Sequence, residues 1–322
     1  MINTIYKTRI APLVALSATI SLVAGCGGSS SSSDDGDLIV SRGVITGFGS
    51  VYVNGHKFET DDARFEIDDD AGSESDLRLG MVVTVIGSRD DDGDYAHQII
   101  YDNELKGPVT DIQIVDGSRK TLTILGQPVL VSLETKIDDD GGLTYGAIAL
   151  GDVLEVSGYV SNSQLIATHI ELQDNDDEIE IRGMIEKLAT DSFEIKGFPV
   201  SYGPSTEIDD DVDALVEGLY VEVEGQLDVA GTTLIAKQIE AEDDGLDDDA
   251  NEVEIEGLIS GYDPDQKTFM LQGQFVDAST ARLEPSSLLL ADDLFVEAEG
   301  YIADGVLYAD EVELEDHDRD DD

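Results

Sequence analysis

The chain has 322 residues with 18 Lys+Arg against 72 Asp+Glu, a formal net charge of −54. A surface of that sign repels nucleic acid phosphates and anionic headgroups, which excludes both as partners, and it attracts cations. The single cysteine, Cys26, excludes a disulfide within one chain.

Residues 1–25 open with Lys7 and Arg9, followed by an apolar stretch over 10–24. This is the pattern of a secretory signal, and the stretch is short for a transmembrane helix. It ends in "LVAGC", which resembles a bacterial lipobox, and the resemblance implies lipidation of Cys26 and cleavage before it. Loss of Lys7 and Arg9 without any acid would take the charge from −54 to about −56. Acyl chains would then provide the membrane anchor. The lipoprotein resemblance also carries a sorting rule. Gly27, in place of aspartate, implies the outer membrane, facing either the periplasm or the cell surface. Residues 26–40, with "GGSSSSSDDGD", read as a flexible tether.

Four similar segments follow, at 41–104, 105–178, 179–245 and 253–315, with an acidic tail at 316–322. They are called repeats I to IV below. Each opens on a glycine, Gly43, Gly107, Gly183 and Gly257, spaced by 64, 76 and 74 residues. Each has an alternating run that closes on Gly87, Gly158, Gly225 or Gly300, and a last run that starts on Ala96, Ala167, Ala236 or Ala309. The period of two in "MVVTVIG", "DVLEVSG", "LYVEVEG" and "LFVEAEG" predicts strands. In "HIELQ", "QIEAE" and "EVELE" it places Ile170, Ile239 and Val312 inward and the acids outward. About five strands per repeat, and one helical turn before Gly80, Gly151 or Gly218, predict an all-β chain of four small OB-like five-stranded barrels in a string. The acidic stretches 174–178 and 242–252 read as extended linkers.

This pattern resembles the bacterial family catalogued as domain of unknown function 5666, in four copies over residues 41–315. The resemblance implies exported, often lipid-anchored repeat proteins. It implies no activity and no site residues. Repeat IV departs from the others by carrying "ARLEPSS" where they carry "IDDD".

The aspartates are the candidate cation ligands. "IDDD" supplies Asp68, Asp69 and Asp70, then Asp138, Asp139 and Asp140, then Asp209, Asp210 and Asp211. Asp90, Asp92 and Asp94 sit at alternate positions around Gly93, as in the opening of a calcium loop. Tyr101 stands where that loop needs its bidentate acid, and Tyr95 stands at its glycine position. Adjacent acids on an extended chain point to opposite sides, so the "IDDD" runs read first as solvated turns and second as weak Ca2+ sites. The histidines, His56, His97, His169 and His317, keep no common column, and no nucleophile elbow or phosphate loop appears. Tyr52, Phe65, Tyr159, Phe198, Tyr202 and Tyr220 read mainly as packing, with a saccharide or peptide groove as the alternative. The expectation is therefore a non-enzymatic, lipid-anchored envelope or cell-surface module, with an envelope protein or polysaccharide as partner. A calcium-responsive module is the competing reading.

Overall fold

A computed structural model describes residues 37–90, 93–138, 142–161, 163–174, 178–209, 212, 214–241, 246 and 250–315. The expected signal peptide, Cys26, the expected tether up to residue 36 and the acidic tail lie outside the described residues, as do parts of both acidic linkers; residues 37–40, expected as tether, instead begin the strand Asp37–Val44. Among the described residues the regular elements are strands and one 3-10 turn, Glu74–Asp76, which precedes Gly80 as the sequence predicts.

Each repeat uses five main strands. In repeat II they are Leu105–Ile114, Arg119–Ile124, Gln127–Ser132, Val153–Ser161 and Gln164–Gln173. The alternation explains them: Leu122, Ile124, Val129 and Val131 are fully buried on one face of the second and third strands. The fourth strand pairs antiparallel with both the first and the fifth. The third runs parallel to the fifth, and so does the short strand after it, Lys136–Ile137. The other repeats copy these parallel returns.

The expected string of four OB-like five-stranded barrels is overturned. Strand pairing continues from one repeat into another, giving two continuous sheets of 13 and 12 strands and a solenoid-like winding. The first sheet joins repeats I and IV through parallel pairing of Asp37–Val44 with Glu252–Asp263. The second joins repeats II and III, where Leu105–Ile114 pairs antiparallel with Ile179–Glu186. Repeats II and III also share one apolar core, which runs from Leu105 to Ile239. Val40, in the strand Asp37–Val44 that opens repeat I, packs into the core of repeat IV. Periodicity identifies the inward face of a strand. It does not say whether the outward face meets water or another repeat.

The glycine that closes each fourth strand has a steric cause. At Gly158, Gly225 and Gly300 an added Cβ would collide with the backbone carbonyl of Ile166, Ile235 and Tyr308 respectively, and at Gly87 with that of Tyr95. The strand register shifts at each of these places, so a bulge brings the neighbouring backbone too close for any side chain.

Candidate functional site

The outward faces of the first and fourth strands carry the polar residues that matter most. On the first strands, Arg42, Lys106, Arg182 and Glu256 each stand just before the opening glycine. Two residues earlier, on the same face, stand Val40, Glu104, Glu180 and Glu254. Across the ladder from Arg42, Lys106, Arg182 and Glu256 stand Thr84, Glu155, Glu222 and Glu297. These faces meet one another. Glu155, Glu180, Arg182, Glu222, Glu254 and Glu256 are all buried.

Burial of so many charges requires partners, and most come from another repeat. Lys106 Nζ donates to Glu180 Oε1 at 2.8 Å, joining repeats II and III. Asn103 donates through its amide side chain to Glu180 and, through its backbone and side-chain nitrogens, to Asp68 Oδ1 at 3.0 Å each. Tyr101 donates its hydroxyl to Glu155 Oε1 at 3.0 Å, from repeat I to repeat II. Tyr159 does the same for Glu256 Oε1 at 3.0 Å, from repeat II to repeat IV, and its ring meets Phe295 edge-on. Arg182 pairs with Glu222 and lies 3.3 Å from Asp102. Arg89 bridges repeats I and IV, donating to Asp94 at 2.9 Å and to Glu252, and lying 3.3 Å from Glu254.

Desolvation raises the proton affinity of several of these acids. Burial pushes Glu155 up to about 8, helped by the neighbouring Asp68. Burial also takes Glu254 to about 7 against the opposing pull of Arg89, and Asp68 to about 6. Raised carboxylates can act as general acids where substrate reaches them. Here Glu155 is covered by Tyr101 and by Gln173, which donates to it at 2.8 Å.

A cavity of about 370 Å3 lies where the four repeats meet. Arg42, Thr84 and Asp102 line it from repeat I, Ser157 from repeat II, Arg182, Met184 and Tyr220 from repeat III, and Gln272 from repeat IV.

The first aspartates of the "IDDD" runs share a backbone role. The amides of Asp68, Asp138 and Asp209 donate to the carbonyls of Tyr101, Ile170 and Ile239 at 2.9, 2.9 and 3.1 Å. Their side chains do not share surroundings. Asp68 is drawn into the repeat junction, and Asp138 accepts from Arg78 Nε of repeat I at 2.8 Å. These two are docking contacts, not solvated turns. Asp69 and Asp70 are exposed, and Asp69 takes a left-handed backbone with φ 62°. Asp90 accepts from the Gly93 amide at 3.1 Å, while Asp94 is held by Arg89 and by His56 Nδ1 at 3.2 Å. Asp92, Asp139, Asp140, Asp210 and Asp211 lie outside the described residues. Among the described residues no group of three or more His, Cys, Asp or Glu is arranged to hold a metal ion.

Of the aromatics singled out from sequence, Tyr159 and Phe198 are buried, Tyr220 borders the cavity, and Tyr52, Phe65 and Tyr202 are half-buried. Sequence reading missed the buried junction acids. Their signal was the return of a carboxylate at the same outward position, in Glu155, Glu222 and Glu297 and again in Glu104, Glu180 and Glu254.

Fold and junction together define an all-β tandem-repeat protein whose four copies are locked to one another through buried charged and polar contacts. The chain belongs to the family described as Domain of unknown function (DUF5666), whose model matches residues 40–99, 106–171, 182–240 and 256–313. No curated protein matches it. Among solved structures, Drosophila Unr CSD456 is 14% identical with a TM-score of 0.19, the match covering 52% of this chain and 79% of that one. A multidomain protein with nucleic acid binding domains from Streptococcus pneumoniae is 12% identical with a TM-score of 0.14, covering 64% of this chain and 73% of that one. Both scores are too low to bear on fold or function.

Proposed function

We propose that this chain is a non-enzymatic, lipid-anchored module of the bacterial envelope, held at the outer membrane through Cys26 and serving as a structural and binding repeat array. The observation that carries the non-catalytic part is the use of the polar residues. The carboxylates of raised proton affinity with the deepest burial, Glu155 and Glu254, sit between repeats and hold Tyr101 and Arg89. They act as joints. The anchor rests on "LVAGC" and the Gly/Ser tether behind it. A net charge of −54 makes nucleic acid a poor partner and leaves an envelope protein or a neutral polysaccharide as the fitting class.

Two measurements test this. Replacing Cys26→Ser should move the protein from the membrane fraction to the soluble fraction; continued membrane attachment would sink the anchor. Replacing Arg182→Leu, which removes the ion pair with Glu222, should make the array sensitive to limited proteolysis at its repeat boundaries. An unchanged digestion pattern would remove the structural role of the junction.

Saccharide or peptide binding on a strand face has one observation in its favour. Exposed Tyr301 and Tyr308 of repeat IV stack with ring centroids 5.6 Å apart, and exposed Phe275 lies on the strand beside Tyr308. Replacing Tyr301→Ala and Tyr308→Ala together should abolish retardation in polysaccharide affinity gels if this face is used. Equal retardation of the double variant would end that reading.

A further inference from the structure

We propose that the cavity where the four repeats meet binds a small organic monoanion, a carboxylate with an apolar or aromatic body, and that Arg42 is its anchor. The repeats supply their own internal control. The position before the opening glycine carries Arg42, Lys106, Arg182 and Glu256 in repeats I to IV. In repeats II and III the cation meets acids: Lys106 faces Glu155 across the ladder and binds Glu180, and Arg182 faces and binds Glu222. In repeat I both of the positions that supply acids elsewhere are uncharged. The residue two before Arg42 is Val40, where the other repeats have Glu104, Glu180 and Glu254. The residue across the ladder is Thr84, where they have Glu155, Glu222 and Glu297.

Among the described residues the Arg42 guanidinium therefore has no ion-pair or hydrogen-bond partner, and it lines the cavity. Among the described arginines Arg42 and Arg64 are the two without a carboxylate partner, and of these only Arg42 lines the cavity, where an incoming anion would satisfy it. A planar guanidinium presents paired donors that match a carboxylate in bidentate geometry. The remaining walls set the rest of the ligand. Val83, Ile100, Met184 and Tyr220 offer apolar and aromatic surface, and about 370 Å3 is at the small end of ligand pockets. Asp102 and Glu104 also line the cavity, so a second negative charge on the ligand would meet repulsion. Nucleotides and inorganic phosphate are thereby disfavoured and a monoanion is favoured. Because the lining comes from all four repeats, an occupant would also tighten their assembly.

The test uses isothermal calorimetry on the full chain at fixed ionic strength, with phenylacetate and hexanoate as probes and phenylacetamide as the uncharged control. One or both carboxylates should bind saturably, one per chain, and the amide should not. Arg42→Gln should weaken binding about tenfold or more, the loss expected for a charge-assisted hydrogen bond. Thr84→Glu should weaken it equally by giving Arg42 the internal partner that the other repeats possess. Melting of each variant is followed in parallel, and if Arg42→Gln unfolds, Thr84→Glu decides, since it adds a pair to the fold. Absence of carboxylate binding in the wild type, equal binding of the amide, or binding that survives both substitutions overturns the site.

Discussion

At the scale of single residues, the recurring glycines and the recurring aspartates turn out to have different standing. Gly158 is fixed by sterics: its backbone lies so close to the Ile166 carbonyl that any Cβ would force the bulge apart. Gly158→Ala should therefore destabilise the protein by about 2 kcal/mol or more, measured by chemical denaturation, because the colliding group is backbone and cannot rotate away. Gly146, where a Cβ would meet nothing, is the control, and Gly146→Ala should change stability by less than about 0.5 kcal/mol. Equal effects at the two sites would show that the bulge tolerates a side chain. The aspartates follow another logic. What repeats I to III have in common at Asp68, Asp138 and Asp209 is a backbone hydrogen bond to the fifth strand, which needs no carboxylate. In repeat IV the residue at that place, Glu284, lies alongside Glu313 of the fifth strand. The side chains are then free to differ, and Asp68 and Asp138 have become contacts to other parts of the chain.

At the scale of strands, the inward face was legible in the sequence and the outward face was not. Alternation of "DVLEVSG" places Leu154 and Val156 in the core, as observed, and by the same rule points Val153 and Glu155 away from it. A solvent-facing strand and a strand that faces a neighbouring repeat look alike under that rule, so the burial of Glu155 at 6% exposure could not be read from one segment alone. Comparison of the four copies carried the missing signal, because a merely solvated position has no reason to be Glu in repeats II, III and IV together. The expected OB-like barrels failed for the same reason: strands counted correctly within a repeat were then shared between repeats. Tyr159 shows what depends on that sharing. Its ring packs on Phe295 and its hydroxyl satisfies the buried Glu256. Tyr159→Phe keeps the ring and removes only the donor, and should cost about 1–3 kcal/mol in urea denaturation, the range for one hydrogen bond to a buried carboxylate. Tyr301→Phe, at an exposed ring on the equivalent strand of repeat IV, should cost under about 0.5 kcal/mol. If the two substitutions are equally mild, the contact between repeats II and IV contributes nothing to stability.

At the scale of the whole molecule, acidity and assembly oppose each other, and pH decides the balance. The junction acids hold protons more tightly in the folded chain than in the unfolded chain: Glu155 near 8, Glu224 and Glu254 near 7, Asp68 near 6, in each case chiefly through burial. When the folded state binds more protons than the unfolded state, stability falls as pH rises. Their contribution is fully present below the ordinary carboxylate range and is lost progressively between about pH 4.5 and 8. Other acids act in the opposite sense. Asp116, held down by Arg119 and the Ser118 amide, and Asp277, held down by Ser279, contribute stability that disappears only on stronger acidification. The melting temperature should therefore be several degrees higher at pH 5.5 than at pH 8 when both are measured by scanning calorimetry at the same ionic strength. Added salt should narrow the gap, because screening weakens the repulsion among the exposed charges that accumulate as pH rises. Glu155→Gln removes the group that titrates highest while keeping an acceptor for Tyr101, so it should flatten the pH dependence and raise the melting temperature at pH 8 more than at pH 5.5. A wild-type melting temperature that climbs from pH 5.5 to 8 would mean that the junction acids are ionised and paired in the folded chain, and that their charges bind the repeats together.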